Sequence, residues 1–374
     1  MTQQLKVLVV GLGHMGLAHA RAYDRLDGYR LAGLCARSIA GRDDLPEAWA
    51  EIPRFADFHQ ALAEVRPDVV AVCTWPNTHA EFAIAAFEAG AHVFLEKPIA
   101  QTVEDSERVV AAARRADRKL LVGISPPHSP MWIRMEALAR TLGKPLVMRM
   151  NLNQQSIGPA WNWHRDLMES SSPVVDCGVH YVDAMCAMTG ARPIRVHAIG
   201  ARLTEDIPPG MYNYGQLQVI FDDGSVGWYE AGWGPMISQS AFIVKDIIGP
   251  KGSVSVLSPE TVPPTPKGAT QATSSEISTH SRIRPLRLHH AALGPGNELV
   301  EGDEDIEIDE ALTHDQICDR KQQALLDAIR EDRDMSEHMR RAVDSMRIVL
   351  AADESIREGR LVELAPGPEA EPSR

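Results

Sequence analysis

The 374-residue chain predicts two folds in series: an α/β unit on a doubly wound parallel sheet, then an α+β unit on an open, mainly antiparallel sheet. Three observations carry this. The length exceeds what one hydrophobic core fills, so two domains are expected. Over residues 1–125, continuous apolar runs alternate with helical patterns, which is how βαβ units with a sheet buried on both faces read. Past about residue 190, strand-like runs follow one another with no helix between them.

In order, "KVLVV" leads into a helix over about 14–26, and "RLAGLC" is the next strand. "DVVAVCT" precedes a helix at about 77–89, "AHVFLE" precedes one at about 102–116, and "KLLVGI" closes the series. Thr102 with Asp105 is a capping pair for the helix that follows "AHVFLE". From 126 the pattern gives a helix over about 130–141, stopped at Gly143 and Pro145, and a second over about 173–188. "IRVHAIGAR", "YGQLQVIF", "SVGWYEAGW", "AFIVKDIIG" and "GSVSVL" then read as an antiparallel meander, with "FDDGS" as a hairpin turn. Residues 258–300, rich in Pro, Ser and Thr, are expected to form a long loop or arm. Helices over about 315–330 and 335–358 and a frayed tail complete a second domain of residues 126–374.

Composition narrows the function. Apolar content of 44% and charged content of 24% are those of a globular protein. A net charge of −13 with no basic block argues against a nucleic-acid partner or an anionic membrane surface. No apolar run approaches the ~18 residues of a membrane span. Five cysteines without a C-x-x-C pair suit a reducing compartment and no thiolate metal site, and the start "MTQQLKVLVV" lacks a signal-peptide pattern, so the expected location is the cytoplasm.

"VLVVGLGHMG" sets Gly11, Gly13 and Gly16 in G-x-G-x-x-G spacing between a strand and a helix. In that context the first glycine permits the tight turn and the second admits a pyrophosphate close to the backbone. The third lets helix and strand touch, and the helix N-terminus faces the phosphates. The unit is therefore expected to be a dinucleotide site; the alternative is a glycine turn with no ligand. A carboxylate for the ribose 2′-hydroxyl belongs about 20 residues further on. Ala36, Arg37 and Ser38 stand there instead, and Asp43 and Asp44 lie too far along. Arg37 and Ser38 suit a 2′-phosphate and favour NADP; the alternative is that Arg37 stacks on adenine and NAD is used.

"HVFLEKPIA" ends a buried strand on Glu96 and Lys97 ahead of Pro98, which holds the lysine at the carboxyl edge of the sheet, where ligands bind in such folds. In "SPVVDCGVHYVDAMCAM", Asp176, His180 and Asp183 form one polar line on an otherwise apolar helix. Buried carboxylates need partners. The line is open to three readings: mutual structural pairing, a metal site, or a catalytic cavity in which His180 is the acid/base. No further ligand cluster stands out, so no metal is expected.

The loop "GLGHMG", the run "TWPNTHAEFAIAAFEAGAHVFLEKPIA", the helix "DCGVHYVD", "IIGPKGSVSV" and "SMRIVLAADESIREGRLVEL" together resemble the Gfo/Idh/MocA oxidoreductases over nearly the whole chain. The resemblance implies a nicotinamide cofactor, a sugar, polyol or cyclitol substrate, and a homodimer or homotetramer formed through the open sheet. It implies that His14, Met15, Thr74, Trp75, Pro76, Asn77, His79 and Glu96 lie along the cofactor with the glycines. Lys97 matches the lysine of the family's "EKP" signature, and Asp176 and His180 match the acid and histidine of its second-domain helix. The chain departs from the family at "ESSSPVVD", before that helix, and at "ISPPHSPMW", after the sixth strand. Trp161, Trp163, His164 and Arg165 are read as sugar-stacking and polar contacts on a loop, although core packing accounts for any one of them equally well.

The expected reaction is hydride transfer between nicotinamide and a carbinol or ketone carbon. His180 moves the hydroxyl proton, since free imidazole titrates near neutral pH. Asp176 orients and charge-stabilises the imidazole or bonds a substrate hydroxyl, and Lys97 polarises the reacting oxygen and contacts the nicotinamide ribose. An NAD-retaining glycoside-cleaving enzyme of the same family and a non-catalytic dinucleotide sensor are the alternatives.

Overall fold

The computed structural model describes residues 3–239, 244–257, 265–272, 274, 284–310 and 312–365. The chain divides into two compact units, Met1–Ser125 with Thr313–Val343, and Pro126–Leu312 with Asp344–Arg374.

The first unit carries β1 (Leu5–Val10), β2 (Tyr29–Cys35), β3 (Arg54–Phe55), β4 (Val69–Val72), β5 (His92–Leu95) and β6 (Leu120–Val122). They form one parallel sheet in the order β3-β2-β1-β4-β5-β6, the strand order of dinucleotide-binding folds. Every residue of β4 is buried, as its unbroken apolar run requires. Around the sheet lie α1 (His14–Arg25), α2 (Phe58–Val65), α3 (His79–Glu88) and α4 (Val103–Ala116). Thr102 caps α4 by accepting from Asp105 N–H.

The helix expected at 315–330 begins one residue earlier and belongs to this unit rather than to the second. Its Leu325 and Leu326 join Val7, Tyr23 and Trp49 in the core, and Tyr29 Oη donates to Gln322 O at 2.9 Å. An amphipathic pattern states that a helix is covered; it does not state by which sheet, so a single cut at 125 overlooks the return of the chain.

The second unit contains α5 (Pro130–Ala139), α6 (Pro159–Leu167), α7 (Pro173–Asp176) and α8 (Gly178–Thr189). Its sheet is built from β7 (Val147–Gln155), β8 (Pro193–Ala201), β9 (Tyr214–Phe221), β10 (Val226–Gly234), β11 (Lys245–Gly249), β12 (Gly252–Val256), β13 (Leu286–His290), β14 (Glu304–Ile306) and β15 (Val362–Glu363). The order is β14-β13-β12-β11-β7-β10-β9-β8-β15, antiparallel except for the parallel pair β7–β10. The simple meander is thus corrected. β7, unmarked in the sequence, inserts between β10 and β11, because its alternating buried residues Met148 and Met150 take part in the same face. Two long helices follow in sequence, α9 (His314–Arg330) in the first unit and α10 (Ser336–Glu358), within which the boundary between the units falls.

Three further expectations change. The helix over 173–188 is interrupted at Cys177, where His180 N–H donates to Cys177 O, three residues back, at 3.2 Å. "PAWNWHRDL" is a helix with Pro159 in its first turn rather than a loop. Within the expected 258–300 arm, Leu286–His290 is a ladder strand. Residues 258–264, 273 and 275–283 of that arm lie outside the described residues.

Candidate active site

The glycine loop follows β1, and each glycine meets a different constraint. Gly11 has φ +87°, and a Cβ there would stand 2.4 Å from Cys73 O. A Cβ on Gly16 would stand 1.8 Å from Gly11 O. Gly13 has an ordinary φ of −71° and no atom within 4 Å of a Cβ position, leaving open space at the N-terminus of α1. Two glycines are therefore required by the fold, and the third keeps space clear. No side chain caps α1, and no acid lies in its first turn, so its unpaired N–H groups suit an anion. The residues present fit a dinucleotide pyrophosphate.

At the end of β2, Arg37 and Ser38 are exposed and no carboxylate replaces them. Arg42, which the sequence reading passed over, reaches back to the loop. Its Nη1 donates to Leu12 O at 2.6 Å, while Nε and Nη2 grip Asp44 at 2.6 and 2.8 Å. Asp44, too distant in sequence to serve the ribose, is engaged by this arginine. His14, Met15, Trp75 and Asn77 retain exposure along the same edge of the sheet, and Pro76 opens a short helical turn after Trp75.

Lys97 is half-buried, on a base that is largely enclosed. Its N–H donates to Glu96 Oε2 at 3.0 Å, and His19 Nε2 lies 2.8 Å from Glu96 Oε1. Gln322 Nε2 donates to His19 Nδ1 at 2.9 Å, so the proton of a neutral His19 sits on Nε2 and is given to Glu96. Burial pushes His19 toward that neutral form, against the pull of Glu96. Burial also pushes the Glu96 carboxyl up, but the His19 hydrogen bond and the Lys321 and Lys97 charges more than offset it and hold it ionised, below the usual carboxylate range. Glu96 and His79, expected along the cofactor, are both buried and so stand beneath the surface that carries Lys97. His79 packs its ring between two backbone carbonyls, Pro98 O at 2.7 Å and Thr74 O at 3.0 Å. His19, Lys321 and Gln322 were not legible as supports, because two of the three arrive from α9.

In the second unit, His180 is the one residue of α8 that is not buried. Asp176, at the end of α7, is buried and accepts from Cys177 Sγ–H at 3.4 Å. Its charge acts on His164, whose pKa burial nevertheless pushes down to about 4. That imidazole is enclosed, stacked on Trp233 at 4.3 Å and 2.5 Å from Ser156 Oγ. Of the four expected sugar contacts, His164 is thus a packed residue. Trp163 is 53% exposed, and Arg165 lies over the Trp161 ring at 5.9 Å.

A parallel sheet with an open phosphate cradle and a lysine at its carboxyl edge, followed by an antiparallel domain, defines a dinucleotide-dependent oxidoreductase class. Residues 5–124 match the oxidoreductase family with a NAD-binding Rossmann fold, and residues 136–255 match the Gfo/Idh/MocA C-terminal domain. The chain belongs to the Gfo/Idh/MocA oxidoreductase family.

It is 33% identical over 162 residues to the inositol 2-dehydrogenase of Paracoccus denitrificans, a stretch covering 41% of this chain and 47% of that protein. Across 271 residues it is 23% identical to the D-glucoside 3-dehydrogenase of Escherichia coli, covering 67% and 77%. The chain therefore spans about half the length of the inositol dehydrogenase it matches. A crystal structure of an Agrobacterium radiobacter oxidoreductase with NAD+, L-tartaric acid and magnesium shares the fold, with a TM-score of 0.76, 17% identity and coverage of 96% and 98%. Among the described residues no helix is long and apolar enough to cross a membrane.

Proposed function

We propose that the protein is a dehydrogenase or reductase that moves a hydride between a nicotinamide cofactor, NADP in preference to NAD, and a carbinol or ketone carbon of a sugar, polyol or cyclitol. The observation that carries it is that His180 alone is only partly buried on an otherwise buried helix, in a chain whose first unit keeps Gly13 clear for a pyrophosphate. The names of the inositol and glucoside dehydrogenase relatives support the substrate class.

A bound nicotinamide supplies or accepts the hydride at its C4. His180 takes the proton of the reacting hydroxyl or returns it to the carbonyl oxygen. Asp176, one turn before it, stabilises the charged imidazole. Lys97, its backbone fixed by Glu96, polarises the reacting oxygen. Arg37 and Ser38 receive the 2′-phosphate.

Assembly through the open sheet face belongs to the same proposal. Ile248, Val147, Val226 and Ile220 stand opposite one another across four adjacent strands. The first three are 38–40% exposed, a continuous apolar row that a second copy would cover.

A panel of sugars, polyols and cyclitols offered with NADP+ and with NAD+, read as nicotinamide absorbance, tests the activity. Lys97→Ala and His180→Ala should each lower kcat by ~10²-fold or more. Their combination should cost far less than the product of the two losses, because both act on one step. Losses that multiply, or two active single variants, refute the assignment.

A further inference from the structure

We propose that His79 is a positioning residue: its Nδ1–H holds the Pro98 carbonyl and so fixes the turn that carries Lys97. His79 opens α3 and has no exposed surface. Its Nδ1 lies 2.7 Å from Pro98 O, and its Nε2 lies 3.0 Å from Thr74 O. The ring therefore spans the ends of β4 and β5, the two strands that carry Thr74 and Lys97 to the carboxyl edge of the sheet.

A neutral imidazole has one N–H to give. Burial favours that neutral ring, Glu96 and the two carbonyls oppose it, and the Lys97 charge assists it. The shorter contact, to Pro98, takes the proton, which selects the Nδ1–H tautomer. Lys97 is then gripped on both sides: its own N–H is held by Glu96, and the carbonyl of the next residue is held by His79. A lysine whose flanking atoms are both fixed has fewer directions in which to point its ammonium, which is what preorganised catalysis requires. The kinetic part rests on the proposed role of Lys97; the tautomer does not.

Two measurements test it. In protein labelled with 15N-histidine, the ring assigned through its contacts to Pro98 and Thr74 should show a protonated Nδ1. A bare Nδ1 with the proton on Nε2 overturns the proposal whatever the enzyme does. In kinetics, Asn places its amide nitrogen where Nδ1 stood, and Gln places its own where Nε2 stood. His79→Asn should keep kcat within about threefold, whereas His79→Gln and His79→Leu should lose on the order of 10-fold to 10²-fold, the scale of a ~1 Å misplacement. Cofactor Kd should be unchanged in all three. A ring that only fills space would favour the larger Gln over Asn, and that order, or equal losses in all three, refutes the proposal. If the variants do not fold, the tautomer in the wild-type chain decides. If Lys97→Ala proves fully active while Nδ1 is protonated, the positioning contact stands and the catalytic reading fails.

Discussion

Replacing Gly13 by alanine separates what the glycine loop does for the fold from what it does for the cofactor. At Gly13 the backbone is extended, φ −71° and ψ −170°, which alanine adopts freely, and its methyl would meet no atom within 4 Å. Loss of the glycine's unfolded-state freedom stabilises the chain by about 0.4–1 kcal/mol. A poorer N-cap for α1 costs a similar amount. The net change should lie within about 1 kcal/mol, or a few degrees in Tm.

The methyl does occupy the space a pyrophosphate would enter. Each charge-assisted bond from the helix N-terminus is worth about 1.5–3 kcal/mol, so displacing two of them weakens binding by on the order of 10²-fold or more. Gly11→Ala and Gly16→Ala should behave oppositely. The first forces a left-handed φ that costs alanine roughly 1–2 kcal/mol and drives a methyl to 2.4 Å from Cys73 O; the second drives one to 1.8 Å from Gly11 O. Calorimetric melting with fluorescence titration of NADPH checks all three. A Gly13→Ala protein that binds NADPH normally, or one that melts far below wild type, refutes the reasoning.

Arg37→Ala should shrink the excess of NADPH over NADH affinity in paired titrations, and tighter NADH binding by the wild type would contradict the 2′-phosphate reading. Acid should loosen the first unit around β6. His92 Nδ1 accepts from Lys119 N–H and His338 Nε2 from Val122 N–H, both at 2.9 Å, and burial pushes both pKa values down to about 4. An accepting nitrogen must be unprotonated, so this stabilisation is full above the unfolded value near ~6.5 and falls away toward pH 4. Urea midpoints measured across that window should decline, and less steeply in His338→Gln. Lys245 is buried, its Nζ facing the Trp132 and Tyr181 rings at 5.7 and 5.0 Å, and burial pushes its pKa far down. The folded state then binds fewer protons than the unfolded one, so this contribution to stability rises with pH up to ~10. Lys245→Met should remove that slope and raise Tm at neutral pH. Light scattering should give a dimer or tetramer, and Val226→Glu, in the middle of the apolar row, should shift it toward monomer.

The sequence by itself determined what depends on local order. The strand–loop–helix context of Gly11, Gly13 and Gly16 specified a phosphate cradle, because three glycines at that spacing answer three separate steric demands. The unbroken apolar runs specified a buried parallel sheet. The line of Asp176 and His180 on an apolar helix marked that helix, although not its break at Cys177. Tertiary structure alone decided matters that depend on residues distant in the chain. Nothing in β7 signals that it pairs in parallel with β10, since register and neighbour are set by the whole sheet. Gln322 and Lys321 could not be tied to Glu96, more than two hundred positions away, until α9 returned to the first unit. His164 reads as a sugar contact in "PAWNWHRDL" but lies stacked on Trp233. About half a turn of rotation around a helix axis exchanges its inside and outside faces, and only the packing around the helix chooses which one holds a polar residue.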